Sequence, residues 1–401
     1  MARFLHFLIF INLTPFIISD TDIDEKLKKL YKTKKCEDKC VFQPETLTSL
    51  NIAQFPKSCS KVCANLNIDQ NSRLSENQLT EAFRNVKNFV GILTVVETNL
   101  TSLVFLSGLE TMDFPERESL FISGNPQIPE LELTNLTSIS SNSMEVTLNK
   151  KLKTINFPNL KKVTIPESNG RQFKMFWSGN DPNFCVTTKN VEYFMRTNVV
   201  NMDGIHGTFC ESVFNEKVCR EPAEKCEQIV GDVIIGQKFD LKALKSVVII
   251  YGQLIINGTE LENFHFLESL EYVVCLENYT PAIIVTNNMN LTDISFPKLK
   301  KIHADGFQKI DLTNNSALVS TKPKFCNDLA KSLKLDNDEL KVNGNTCGFL
   351  LEPSRPLEQD GAEFSRPYLN INVSCTFQTV FDTYIQLFGR NHVHKDSSLT
   401  L

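Results

Sequence analysis

No C-x-x-C pair occurs among the twelve cysteines of this 401-residue chain. That absence removes the usual support for a zinc ribbon or a thioredoxin-type redox site. Charge of one sign is also lacking. The formal net charge is only −5, which argues against nucleic acid as a main partner. Past the N-terminus no stretch reaches the ~18–20 continuous apolar residues of a transmembrane helix. The segment from Gly389 to Leu401 is polar and offers no tail for a lipid anchor. G-x-S-x-G, H-E-x-x-H and a P-loop are all missing. The six histidines, His6, His206, His265, His303, His392 and His394, share no motif. No catalytic residue, cofactor site or metal site is expected.

What is present begins with an address. Arg3 precedes an apolar run from Phe4 to Ile18, and Ser19 offers a small residue before Asp20. That order predicts a secretory signal peptide over residues 1–19. A Lys-rich leader over 20–35 follows, read as a solvated helix face. All twelve cysteines lie beyond it, an even number, which favours disulfides in an oxidising compartment. N-x-S/T sequons stand at Asn99, Asn135, Asn257, Asn278, Asn290, Asn314 and Asn372. The expected product is a soluble, secreted glycoprotein.

The chain repeats itself. Gly91-Ile-Leu-Thr-Val-Val-Glu-Thr-Asn-Leu, continuing to Leu109-Glu110, matches Gly252-Gln-Leu-Ile-Ile-Asn-Gly-Thr-Glu-Leu, continuing to Leu270-Glu271, without a gap. Leu152-Lys-Thr-Ile-Asn-Phe-Pro matches Leu291-Thr-Asp-Ile-Ser-Phe-Pro. Each copy closes on Phe-Cys, at Cys185 and Cys326. A shorter period lies inside each copy. Asn125, Ile128, Leu131, Leu136 and Ile139 recur 24 residues on as Asn149, Leu152, Ile155, Leu160 and Val163. A 20–30-residue period of this kind is the mark of a solenoid rung.

The rung predicts its own geometry. Three and five positions before the marker residues Asn125, Asn149, Asn180, Asn288 and Asn315 every side chain is apolar. Alternation places those pairs inside the solenoid. Trp177 belongs to this inward set. The marker Asn suits the turn after the strand. The outward positions are mixed. In the first copy Thr94, Val96, Phe121, Glu145, Thr147 and Phe176 form a candidate partner-binding face, with aromatics at an apolar centre and polar neighbours. The fold class expected is mainly β: two tandem short parallel solenoids with helical, disulfide-stapled caps.

The cysteines fall where caps belong. Spacing of four puts Cys36 and Cys40, and likewise Cys59 and Cys63, on one side of a helix. Concentric pairing, Cys36–Cys63 around Cys40–Cys59, follows easily. Cys185–Cys210 and Cys326–Cys347 would close the two exits, and Cys219–Cys226 the second entrance. Cys275 and Cys375 remain as an open pair.

These ordered features resemble the receptor L domain, the ligand-binding module of insulin and EGF receptors. The resemblance rests on the entrance cysteines, the G-x-L strands at Gly91 and Gly252, the F-P-x-L rungs and the cysteine exits. It implies a short right-handed parallel β-helix with helical caps in each copy. It also implies domains over 36–211 and 212–350, with a tail over 351–401. Departures matter. Only about Glu211 to Glu227 joins the copies, without a furin-like cysteine-rich region, and no kinase motif follows. The column two before each marker holds Ser123 and Thr147, so insulin-type contacts do not carry over.

Function is therefore expected in binding: a secreted peptide ligand, insulin-like or EGF-like, or a receptor ectodomain, held or sequestered so that signalling is modulated. A structural or adhesive matrix glycoprotein remains an alternative. So does a β-helix enzyme acting on polysaccharide, though its paired carboxylates are wanting: the outward positions two and four before the markers offer only Glu145 and Asp311, one per copy. Oligomeric state is not readable.

Overall fold

The computed structural model describes residues 20–116, 118–166, 170–276, 280–306, 308–315 and 323–348. The signal segment, the tail, Asn278, Asn372 and Cys375 lie outside the described residues. Four α-helices are described: α1 (Asp20–Thr33), α2 (Glu76–Phe83), α3 (Thr188–Arg196) and α4 (Pro323–Leu333). Nearly everything else regular among the described residues is short strand, and the described pairings are parallel except one at the end, Leu340–Val342 with Asn345–Thr346.

The alternation read from the sequence builds the first half. Its front sheet runs Lys61–Ile68, Asn88–Val96, Ser119–Ser123, Ser143–Thr147, Phe173–Trp177, Val200–Ile205. Leu66, Leu93, Leu120, Met144 and Met175 stack in register on the inner side, all buried. Each such side chain contributes roughly 1.5–3 kcal/mol by leaving water. Trp177 is fully buried, edge-on to Phe157, Phe184 and Phe194. A second group, Thr111–Asp113, Ser138–Ser140 and Lys162–Thr164, continues from the start of Asn88–Val96. A third sheet holds Glu130–Glu132, Thr154–Asn156, Cys185–Val186 and Thr208–Phe209.

The second half repeats two of these groups. Val233–Ile235, Leu254–Asn257, Ile283–Thr286, Ile310–Thr313 and Leu340–Val342 form its front sheet. Val218–Cys219, Gln228–Val230, Ile249–Tyr251, Tyr272–Cys275 and Lys301–Ala304 form the other. Gly91 and Gly252 hold equivalent places, with φ of 135° and 156°. A Cβ at Gly91 would sit 1.8 Å from the Ala64 carbonyl oxygen, and one at Gly252 2.4 Å from that of Gly231. Only glycine allows so close a stacking of backbones.

The marker asparagines do more than close a turn. They form a buried ladder between successive strands. Thr98 N and Oγ1 donate to Asn125 Oδ1 (3.0 and 2.6 Å), Asn125 N donates to Asn149 Oδ1 (3.0 Å), and Asn149 N to Asn180 Oδ1 (3.1 Å). Each Nδ2 reaches a carbonyl of the preceding layer: Val95, Ile122 and Val146. The second half repeats the device from Thr259 through Asn288 to Asn315. Before each member the chain turns through a left-handed residue: Glu97, Gly124, Leu148 and Gly179, then Gly258, Asn287 and Asn314.

Among the described residues five disulfides link Cys36–Cys63, Cys40–Cys59, Cys185–Cys210, Cys219–Cys226 and Cys326–Cys347. The first two are concentric for a reason other than helical spacing. Cys36 follows α1, Cys40 ends a 3-10 turn, and Cys63 lies in a strand. The strand Val41–Phe42 runs beside Lys61–Ile68 with Val41 opposite Cys63, which brings the two ends together. Cys275 is buried, with its sulfur 3.7 Å from Thr280 Oγ1.

The halves are packed together. The sheet of Ile249–Tyr251 and Tyr272–Cys275 is buried on both faces. Ile250, Val273 and Cys275 enter the second core, while Ile249, Tyr251, Tyr272 and Val274 join the first. Lys301 Nζ donates to the Val200 and Phe194 carbonyls at 2.9 and 3.3 Å, capping the chain after α3. Two histidine–carboxylate contacts cross the joint in opposite senses: His303 to Asp203 at 3.5 Å and His206 to Asp305 at 3.3 Å.

Candidate interaction face

The outward side of the first front sheet is a flat, rigid array. Backbone register places Asn67, Thr94, Phe121, Glu145, Phe176 and Gly204 in one row across six strands. Neighbours in such a row stand ~4.8 Å apart, so Phe121 and Phe176, one on each side of Glu145, are about 10 Å from each other. Phe176 is 39% exposed, while Thr94, Phe121 and Glu145 are half-buried. A Cβ at Gly204 would meet the Phe176 ring at 2.8 Å, so the bare backbone there seats the ring. Glu145 is held by the Ser143 and Ser119 hydroxyls at 3.1 and 3.4 Å.

A second row joins Val96, Ser123 and Thr147. Thr147 was expected at the open surface. It is instead 6% exposed, and its hydroxyl meets that of Ser123 at 3.0 Å. Short hydroxyl side chains in adjacent strands satisfy each other and sink into the sheet. The structure thus brings all six candidate residues onto one face and leaves Thr147 the least accessible of them.

Residues that sequence reasoning missed frame this face. The leader folds as α1 and packs on the strand Asn88–Val96. Lys28, Lys29, Lys32 and Lys35 are solvated, but Leu27 is buried. Cys63 and Val90, which point outward by alternation, are buried too. Lys34 reaches Asp113 at 2.5 Å. Burial pushes the Glu118 carboxyl up, against the pull of Lys26. Ile23, Leu27, Leu30 and Tyr31 at helical spacing carried the signal for a docked helix, and the lysines between them obscured it.

The corresponding face of the second half differs. Its row is Ile234, Ile255, Ile284, Asp311 and Lys341. Lys341 lies 3.7 Å from Asp311. Among the described residues no group of three histidine, cysteine or acidic side chains is placed to hold a metal ion, and no helix is long and apolar enough to cross a membrane.

The model of the receptor L domain family matches the chain twice, over residues 58–152 and 225–331. The protein irld-34 of Caenorhabditis elegans is 21% identical over 265 residues, covering 62% of each chain. The chain therefore spans about three fifths of that relative's length.

Proposed function

The chain belongs to the receptor L domain family, and from that premise we propose that it is a secreted binding protein built of two tandem capped β-helices, over 36–211 and 212–350. Residues 1–19 serve as its signal peptide. It holds a secreted peptide ligand, insulin-like or EGF-like, or a receptor ectodomain, and so modulates signalling. The observation that carries this reading is the first front sheet. Two aromatic rings flank a carboxylate on a backbone that stacked strands and the asparagine ladder keep rigid. Rigid aromatic anchors lose little entropy on binding, which is why they dominate interface energetics. Binding is favoured over catalysis because the family is a binding module and the outward row of each front sheet carries a single carboxylate, Glu145 or Asp311.

The test is direct. The mature protein, expressed through a secretory pathway, is measured against immobilised insulin-like and EGF-like peptides and receptor ectodomains. Sub-micromolar binding to one of them is expected. Binding confined to insoluble matrix would instead point to an adhesive role.

A further inference from the structure

The two front sheets share one frame and carry opposite decoration. Thr94, Phe121 and Glu145 of the first correspond to Ile255, Ile284 and Asp311 of the second, each pair at the same distance from its ladder residue. Ile234, Ile255 and Ile284 are adjacent in register, and Ile234 is 63% exposed. Such a contiguous apolar stripe on open sheet is a liability in a soluble protein unless something covers it.

Two described sequons stand at the C-terminal edge of that sheet. Asn257 lies on the same outward side of the same strand as Ile255, two residues on, hence about 7 Å away. It is exposed. Its Oδ1 accepts from Thr286 Oγ1 at 3.2 Å and Asn287 Nδ2 at 3.0 Å, which turns its own amide nitrogen to solvent. Asn314 is exposed at the left-handed corner after Thr313, two strands along. Its Nδ2 donates to Asn287 Oδ1 at 2.6 Å, a bond that one amide hydrogen suffices to keep after substitution. In the first half the equivalent positions are Val96 and Leu148. The first half's own described sequons lie elsewhere. Asn99 is past the corner, and Asn135 donates to the Ser107 carbonyl at 2.8 Å, away from the front sheet.

We propose that Asn257 and Asn314 carry N-linked glycans that lie over the isoleucine stripe of the second front sheet, closing that face to proteins and leaving the first front sheet as the open one. This rests on the secreted reading above. A glycan is bulky, hydrated and tethered, so it screens apolar surface without filling a specific pocket. One duplicated scaffold thus presents one binding face.

The experiment uses the full chain secreted from a glycosylating eukaryotic cell. Glycopeptide mapping reads occupancy at Asn257 and Asn314. Hydroxyl-radical footprinting is then run before and after enzymatic removal of the glycans from the folded protein, which avoids any folding defect of a variant. Labelling of Ile255 and Ile284 is expected to rise at least about threefold, with Phe121 and Phe176 unchanged. The variant N257Q/N314Q, where it is secreted, should show the same labelling without enzyme. Unoccupied Asn257 or Asn314 in a secreted protein, or unchanged labelling of the isoleucines, overturns the proposal while leaving the secreted reading intact. Protein retained in the cytosol with reduced cysteines overturns both.

Discussion

Asn149 makes four ladder bonds in the interior, two through Oδ1 and two through Nδ2. Asn149→Ala leaves the Asn125 amide and the Ile122 carbonyl without those partners. A buried unpaired group costs about 1–3 kcal/mol, so a loss of about 2–4 kcal/mol is expected from denaturant midpoints. An asparagine in an ordinary exposed turn would cost about 0.5 kcal/mol or less. The 24-residue period relates Asn125 to Asn149, and the apolar pairs three and five positions ahead mark the others. The ladder was not readable, because the atoms a side chain reaches depend on how neighbouring strands stack. Thr98 and Thr259 did leave a trace: they are identical at matching places in the two copies. On the candidate face the side of each residue followed from alternation alone. The depth of Thr147 followed only from its hydroxyl contact across to Ser123.

At the scale of elements, α1 is the part most open to experiment. Cys36–Cys63 ties its C-terminal end to the front sheet, and Cys40–Cys59 already closes most of the same loop. The outer link then closes only a small remaining ring, for which chain entropy gives about 2.5 kcal/mol. C36S/C63S is expected to lower stability by about that amount and to speed hydrogen exchange in α1, while α3 and α4 keep their protection. Unaltered exchange in α1 would show that Leu27 and the Lys34–Asp113 pair hold it without the disulfide. Strands were the easier elements to foresee, since period two and period 24 agree. In α1 only the solvated lysine face was read from the sequence, and the apolar stripe behind it was passed over.

At the scale of the whole molecule, the joint between halves is pH-sensitive. His303 is 3% exposed, and burial holds its pKa below the ordinary histidine value; the Asp203 carboxylate pulls the other way but is 56% exposed and so screened. The packed joint therefore prefers neutral His303, while an opened joint takes up the proton near pH 6.5. Stability from this source is whole above about pH 6.5 and is lost as pH falls through the lower folded value. Lys301, pushed down to about 8 by burial and by Lys309, still keeps most of its charge at neutral pH. Calorimetry should find a larger drop in melting temperature between pH 7.4 and 5.5 for the wild type than for H303N. Equal drops would assign the acid sensitivity elsewhere. None of this was readable from the duplicated sequence. Duplication predicts two like halves, whereas the joint arises largely where they differ: Tyr251, Tyr272 and His303 stand where the first half has Val90, Thr111 and Thr164. The central claim is that the first front sheet binds an extracellular protein. Its most direct test is capture from extracellular medium with the mature glycosylated protein and with F121D/F176D, read by quantitative mass spectrometry. A secreted peptide or receptor ectodomain enriched on the wild type and reduced at least about 30-fold on the variant is the predicted result; the same partner held equally by both would contradict it.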